Sequence, residues 1–205
     1  TEDISKEDFG TYSCIFLCNG LPLPSQGEVL QLEQYVKNGG LLVMFPGDKA
    51  VSKLVSFHED GGFLAWFMGD RTSQEEYAKL YKRGVFPAMP AGSIPEGGQT
   101  IDKASAKSSR FVFAEKNEAD LGSAKFDRYH ALSAGEDAAA LLKFVNGRPF
   151  LVERDRTWAF ASTADMEWNN LPAKPVFLPM LQELVFKSVA KEREVVKKPY
   201  FVGDE

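Results

Sequence analysis

The pattern of apolar and polar positions is clearest between Tyr12 and Asp48, YSCIFLCNGLPLPSQGEVLQLEQYVKNGGLLVMFPGD, which reads as strand, helix and strand. Ser13 to Leu17 is a short, mostly apolar run, the pattern of a strand buried on both faces of a parallel sheet. Leu21 to Ser25 carries two prolines, which remove backbone donors and fix φ, so it reads as a loop. Ser25 with Glu28 three residues on spells a capping box. Val29, Leu32, Tyr35 and Val36 then recur at helical spacing, giving the helix one face for the sheet. Asn38-Gly39-Gly40 supplies the helix stop, and Leu41 to Phe45 is a second continuous apolar strand. A right-handed parallel βαβ unit follows.

The pattern loosens after Asp48. Lys49 to Phe57 predicts a short helix burying Val51, Leu54 and Val55, His58 to Gly62 a turn, and Phe63 to Met68 an apolar cluster around Trp66. Thr72-Ser73 ahead of Glu75 and Glu76 caps a helix to Lys82, with Tyr77, Leu80 and Tyr81 on one face. Arg83 to Gly98 is rich in proline and glycine and predicts a loop that wraps rather than pairs. Thr100 to Ser109 reads as a polar surface excursion and Arg110 to Ala114 as a short strand.

The pattern is clearer again in the last third. Ala138 to Val145 and Pro149 to Glu153 flank Asn146-Gly147, the pair favoured in a type I′ hairpin turn. Arg154 to Arg156 turns the chain into Thr157–Ser162, completing an antiparallel meander added to the parallel sheet. Thr163 to Lys174 is a polar loop containing Trp168. Pro175 opens a helix to Lys191 that buries Phe177, Leu178, Leu181, Leu184, Val185 and Val189. Residues 1–193 therefore form one α/β domain, and 194–205 an exit linker. No strand precedes Tyr12, so either a first βα unit is missing or the sheet is short on that side.

Composition narrows the function classes. The 205 residues are 44% hydrophobic and 26% charged, ordinary for a globular domain. A net charge of −5 leaves no basic footprint for nucleic acid. No apolar run approaches the ~20 residues of a membrane span, and Thr1 does not begin a signal peptide. The ends read as those of a segment cut from a longer chain. Cys14 and Cys18 lie on one strand, ~13 Å apart at ~3.3 Å per residue, too far for a disulfide. They are expected as small core residues.

Chemistry is sought beyond the carboxyl ends of the strands. Those ends are Cys18-Asn19-Gly20, Pro46-Gly47-Asp48, and Ser162 through Asn170, and they define a candidate crevice of Cys18, Asn19, Gly47, Asp48, Asp165, Trp168 and Asn169. No G-x-C-x-G or G-x-S-x-G elbow occurs, and the two histidines, His58 and His130, are in no metal-binding spacing. Asp48 following Gly47 fits a helix cap better than an anion site, since its charge repels an anion. Asp48, Asp165 and Glu167 fit a solvated acidic loop better than a hard-cation site. Trp168 with Asn169 and Asn170 reads either as a binding lip or as a plug of the sheet edge beneath the last helix.

The combination YSCIFLCNGLP, EQYVKNGGLLVMFPGD, GRPFLVER, WAFASTADMEWNNLP and FLPMLQELV, in that order from Phe9 to Val189, resembles the class I glutamine amidotransferase-like domain of BatA-type, aerotolerance-related bacterial membrane proteins. Ser13 stands where that family usually has Asp, and Asp155-Arg156 where it has a glycine-rich turn. The resemblance implies a flavodoxin-like three-layer sandwich without the catalytic triad, a mostly parallel sheet and an antiparallel C-terminal meander. It also implies a location on the extracytoplasmic (periplasmic) face of the cytoplasmic membrane, anchored by helices elsewhere in the chain.

The favoured expectation is a non-catalytic binding or scaffolding domain that engages a protein partner or neighbouring domains, with no cofactor and no metal. The alternatives are a small-ligand or carbohydrate-binding domain at the strand ends, and a cryptic hydrolase or amidotransferase using Cys18.

Overall fold

The computed structural model describes residues 7–18, 26–45, 63–69, 74–95 and 97–196. After a 3₁₀ turn at Phe9–Thr11, the expected βαβ unit forms as β1 (Cys14–Leu17), α1 (Gln26–Lys37) and β2 (Leu41–Met44). β1 and β2 are parallel, in register from Cys14↔Leu41 to Leu17↔Met44. Leu32, Tyr35 and Val36 form the buried stripe of α1. Gly40 leaves room for the Tyr35 ring, since a Cβ there would lie 2.2 Å from it. The predicted Ser25–Glu28 capping box, the helix over 49–57 and the turn at His58 fall outside the described residues.

Phe63–Phe67 is not a loose cluster but β3, with every residue buried. It pairs in parallel with β2 and with β10 (Thr157–Phe160). Buried on both faces, it shows no alternation that would mark it as a strand. β10 pairs antiparallel with β9 (Pro149–Arg154), and β9 with β8 (Ala139–Lys143), as the meander predicts. The result is a mixed α/β fold on a mostly parallel six-stranded sheet of order β1-β2-β3-β10-β9-β8. Among the described residues β1 is therefore an edge strand rather than a doubly buried one, and Phe16 on it is 43% exposed.

The middle of the chain departs most from expectation. After α2 (Gln74–Lys82), the stretch read as a wrapping loop contains β4 (Ala88–Ile94), paired antiparallel with β7 (Tyr129–Ala134). A register shift between Pro90 and Ser93 absorbs the proline and the left-handed Gly92 (φ 96°). A bulge lets a strand keep residues that normally argue against one.

The polar excursion is partly ordered too. β5 (Gln99–Thr100) pairs with β6 (Lys125–Phe126), and Asp102 caps α3 (Lys103–Lys107) by accepting from the backbone N–H groups of Ala104 and Ser105, each at 3.1 Å. The strand predicted at 110–114 is instead helical, α4 (Val112–Lys116), with α5 (Glu118–Leu121) after it. Phe111 and Ala114, three apart, are the buried positions, a helical spacing too short to be recognised in sequence.

Two turns repay inspection. At Asn146-Gly147 the N–H of Gly147 donates to Phe144 O and that of Phe144 to Arg148 O, both at 2.8 Å. Only Gly147 has positive φ (84°), so the hairpin closes through a three-residue loop and not the type I′ turn. Between Arg154 and Thr157, Asp155 sits at φ 51°, the one non-glycine residue with positive φ among those described. The strands it joins anchor the rest. Arg154 donates to the carbonyls of Gly84 and Phe86, holding the turn after α2, and Trp158 Nε1 donates to Glu153 Oε1 at 2.8 Å.

Rings fill both faces of the sheet. Phe67 and Phe160, register partners on β3 and β10, stack at 4.1 Å with planes 3° apart. The contacts continue to Phe45 on one side and through Phe150 to Phe126 and Phe144 on the other. Phe177 meets the same Phe67 edge-on and brings α6 (Phe177–Val196) onto that face. Trp66, pointing to the opposite face, packs against Tyr77 of α2 and Phe86. Met180, Leu181, Leu184 and Ser188 are buried on α6, whereas Leu178, expected among them, is 62% exposed. The helix runs to Val196, past the boundary drawn at 193.

Asp155 yields a stability prediction. A β-branched side chain is strained at positive φ, so Asp155→Val should lower unfolding free energy by about 1–2 kcal/mol, and Asp155→Gly should leave it within about 0.5 kcal/mol of the parent. Urea denaturation checks this; equal midpoints for the two variants would show that the turn tolerates any residue.

Candidate functional site

The four parallel strands end at Leu17, Met44, Phe67 and Phe160. Of the candidate crevice residues, Asn19, Gly47 and Asp48 lie outside the described residues. Cys18 follows the edge strand β1, while Asp165, Trp168 and Asn169 lie in the segment leaving β10. Three strand spacings separate β1 from β10, about 14 Å at ~4.8 Å each. The thiol is therefore not brought to the other three, which do come together.

Asn169 is the centre of that segment and is 3% exposed. Its Nδ2 donates to Thr163 O (2.9 Å), Ser162 Oγ (3.1 Å) and Thr163 Oγ1 (3.3 Å), and its Oδ1 accepts from Leu171 N (3.0 Å). The amide is thus spent on the backbone and hydroxyls of its own loop. Asp165 acts the same way at the surface, where its Oδ1 accepts from Thr163 Oγ1 and from Glu167 N, each at 3.0 Å. This is an Asx turn, local by nature. Ser162 Oγ donates onward to Arg128 O at 3.0 Å, tying the loop to the strand ribbon.

Trp168 is buried, and its place is a plug rather than a lip. Its cover comes from residues 127–130 next to β7. Its carbonyl accepts from the N–H groups of Asp127 (2.8 Å) and Arg128 (3.2 Å), the Arg128 guanidinium lies 5.3 Å from its ring, and the His130 ring 5.2 Å. The indole Nε1 is buried and has no hydrogen-bond partner among the described residues. His130 is itself 5% exposed; its backbone N–H donates to Ala161 O at 2.7 Å, and Nε2 lies 3.0 Å from Gly69 O. A carbonyl only accepts, so Nε2 carries the proton and that nitrogen is occupied.

Chemically, this assembly is a clasp joining the ends of β3, β7 and β10. A nucleophile with its base would need the two within hydrogen-bond reach. Here Cys18 sits at the sheet edge and His130 is directed at Gly69. Among the described residues, no group of three or more His, Cys, Asp and Glu side chains is placed to hold a metal. In the sequence His130 stands only as a candidate base or metal ligand, Ser162 and Thr163 mark a strand end without individual roles, and Arg128 carries no local signal. The available signal was the run Ser162-Thr163-x-Asp165 directly after a strand, which favours local side-chain turns.

The two cysteines differ in environment. Cys18 is exposed, not a core residue, whereas Cys14 is half-buried and burial pushes its thiol from the ordinary 9.0 up to about 12. Desolvation disfavours the thiolate.

No family model matches the chain, and no curated protein matches it. Among solved structures it is similar to Cytoplasmic Protein STM3548 from Salmonella typhimurium, with a TM-score of 0.54 and 18% identity over 91% of this chain and 75% of that one. Cytoplasmic Protein STM1381 from Salmonella typhimurium LT2 follows at TM-score 0.47 and 17% identity, covering 90% and 72%. A beta-galactosidase from Rahnella sp. R3 gives 0.43 and 14%, covering 93% of this chain and 24% of the enzyme. The first likeness shows a shared fold and extends no further.

Two predictions arise from the clasp and the thiols. Asn169→Ala leaves buried donors and acceptors unpaired and should cost about 2–3 kcal/mol in urea unfolding, whereas Asp165→Ala, at an exposed turn, should cost under about 1 kcal/mol. In the native protein Cys18 should react with a disulfide reagent and Cys14 only after unfolding. As pH rises from about 9 to about 12 the unfolded chain's Cys14 ionises while the folded thiol stays neutral, so stability falls across that window. Cys14→Ala should flatten that part of the decline relative to the parent; an unchanged slope would refute it.

Proposed function

We propose that this chain is a non-catalytic, amidotransferase-like binding or scaffolding domain of a membrane-anchored bacterial protein, with a flavodoxin-like sheet held on the extracytoplasmic side. It engages a protein partner, or a neighbouring domain of its own polypeptide, along the outer edge of β1. The observation that carries this reading is the character of that edge. Among the described residues no strand pairs with it, and its sequence, Cys-Ile-Phe-Leu, offers neither charge nor proline. Edge strands left to solvent are normally blunted by one or the other. Phe16 presents an apolar ring to solvent from the middle of it. The ring is held in place by a near-parallel contact with Phe45 at 6.3 Å.

Two further points support it. The distal motifs, GRPFLVER and WAFASTADMEWNNLP, carry side chains engaged in structure-holding contacts: Glu153, Arg154, Asp165, Trp168 and Asn169. Cys18 follows β1 at the sheet edge while His130 lies on β7 with Nε2 at Gly69 O, which keeps the elements of thiol chemistry apart. Among the described residues no helix is long and apolar enough to cross a membrane, so anchoring belongs to other segments of the polypeptide in this reading.

The test is site-specific photocrosslinking in the full-length protein in bacterial membranes. A benzoylphenylalanine at position 16 should give a discrete adduct, and the same residue at Val145, which is 66% exposed, should not. Phe16→Lys should weaken that association about tenfold or more, because a charged edge resists strand addition. Equal adducts at both positions would overturn the edge assignment. Glutamine hydrolysis by the purified chain, lost in Cys18→Ala, would overturn the non-catalytic one.

A further inference from the structure

A cavity of about 430 Å³ opens at the amino ends of β1 and β2, the end of the sheet opposite the clasp. The 3₁₀ turn at Phe9–Thr11, the carboxyl end of α1 and Ser188 of α6 enclose it. Packing builds this wall. Phe9 meets Tyr35 edge-on at 6.4 Å, Tyr35 lies over Gly40, and its hydroxyl donates to Leu41 O at 3.3 Å. Asp8 fixes the turn by accepting from Gly10 N at 3.1 Å.

The lining has one sign of charge. Glu7 and Asp8 contribute carboxylates, and no lysine or arginine is among the described lining residues. Lys37, at the end of α1, is paired with Glu33 at 3.3 Å. The carboxyl end of a twelve-residue helix adds the negative pole of its dipole. Tyr12 is half-exposed and donates to Glu7 Oε2 at 3.3 Å, which sets its ring beside the carboxylate. Gln34 Nε2 donates to Asn38 Oδ1 at 3.0 Å, so the Gln34 carbonyl oxygen remains as an acceptor.

From this juxtaposition of two carboxylates, a helix carboxyl end and an aromatic ring around one cavity, we propose that it binds an organic cation: a primary ammonium or guanidinium group on a short aliphatic stem. Such a group donates to Glu7 and Asp8 and meets the face of Tyr12, where a cation is attracted by the ring quadrupole. Anionic ligands are opposed by the charges of the described lining residues, Glu7 and Asp8. The volume is more than tenfold the ~30 Å³ share of a water molecule, which suits an organic ligand better than a bare ion. A free polyamine and a lysine or arginine side chain of a peptide share this chemistry. The site is independent of the β1 edge, and neither reading depends on the other.

Titration calorimetry on the intact chain tests it, with spermidine, agmatine and a capped Gly-Lys-Gly peptide as probes and glucose and inorganic phosphate as comparators. The amines should bind, and their affinity should fall several-fold between about 20 mM and about 300 mM salt as screening grows. Tighter binding of spermidine and agmatine would identify a free amine, and tighter binding of the peptide a side chain. Glu7→Gln combined with Asp8→Asn should reduce affinity about tenfold or more, while the side-chain amide carbonyl introduced in place of the Asp8 carboxylate still accepts from Gly10 N. Tyr12→Leu should reduce it about threefold. Both changes are at exposed positions, and an unchanged urea midpoint confirms that the fold is intact. Three results would each overturn the proposal: no amine binding at about 10 mM, binding of glucose or phosphate in preference to amines, or amine affinity indifferent to salt and to the double substitution.

Discussion

The structure depends on one pairing: β3 lies parallel to β10, although residues 68–156 intervene between them. Phe67 and Phe160, register partners across that junction, stack at 4.1 Å, and their contacts reach Phe45, Phe150 and Phe177. The junction joins the parallel half of the sheet to the antiparallel meander, so without it the βαβ unit and the hairpins would be separate pieces. Such long-range closure is entropically costly before it is rewarded by burial. Two fully buried strands with aromatic side chains supply that reward.

The polar clasp at the carboxyl end of the same junction works on the same problem. Asn169 satisfies one backbone donor and three acceptors, and Trp168 closes over the strand ends with Arg128 and His130 against it. In an open α/β sheet this is where a ligand or a catalytic group would be placed. Here Trp168 and Asn169 are turned inward, and the polar groups of Asn169 and Asp165 are bonded to their own loop. The outward-facing features lie elsewhere: the uncharged edge of β1, and the acidic, aromatic-walled cavity at the amino end of the sheet. Among the described residues, the strand-end polar groups are spent on holding shape, while no strand pairs with the outer edge of β1.

Legibility in sequence followed local physics. The βαβ unit, the helix at Gln74–Lys82 and the meander were readable because helical and alternating periods, glycine stops and hairpin loops act over a few residues. The β4 strand was hidden because Pro90 and Gly92 ordinarily break strands, and only its partner β7 and a bulge make room for them. The helix at Val112–Lys116 was mistaken for a strand because five residues are too few to show a period. The candidate site was half-legible. The composition of its loop was visible, but whether Trp168 faced a ligand or the interior depended on Arg128 and His130, which are remote in sequence.

What the amino-acid order determined alone was therefore the βαβ unit, the helix at Gln74–Lys82, the meander and the absence of a nucleophile elbow, since spacing and local hydrogen bonding encode these. Which strand lies at the centre and which at the edge, that Phe16 is exposed while Phe63–Phe67 is sealed, and that Cys18 follows β1 while His130 lies on β7 with Nε2 at Gly69 O were decided only in three dimensions. The reason is that an apolar run carries the same composition whether one neighbour or two will cover it. Coverage is a property of the assembled layers.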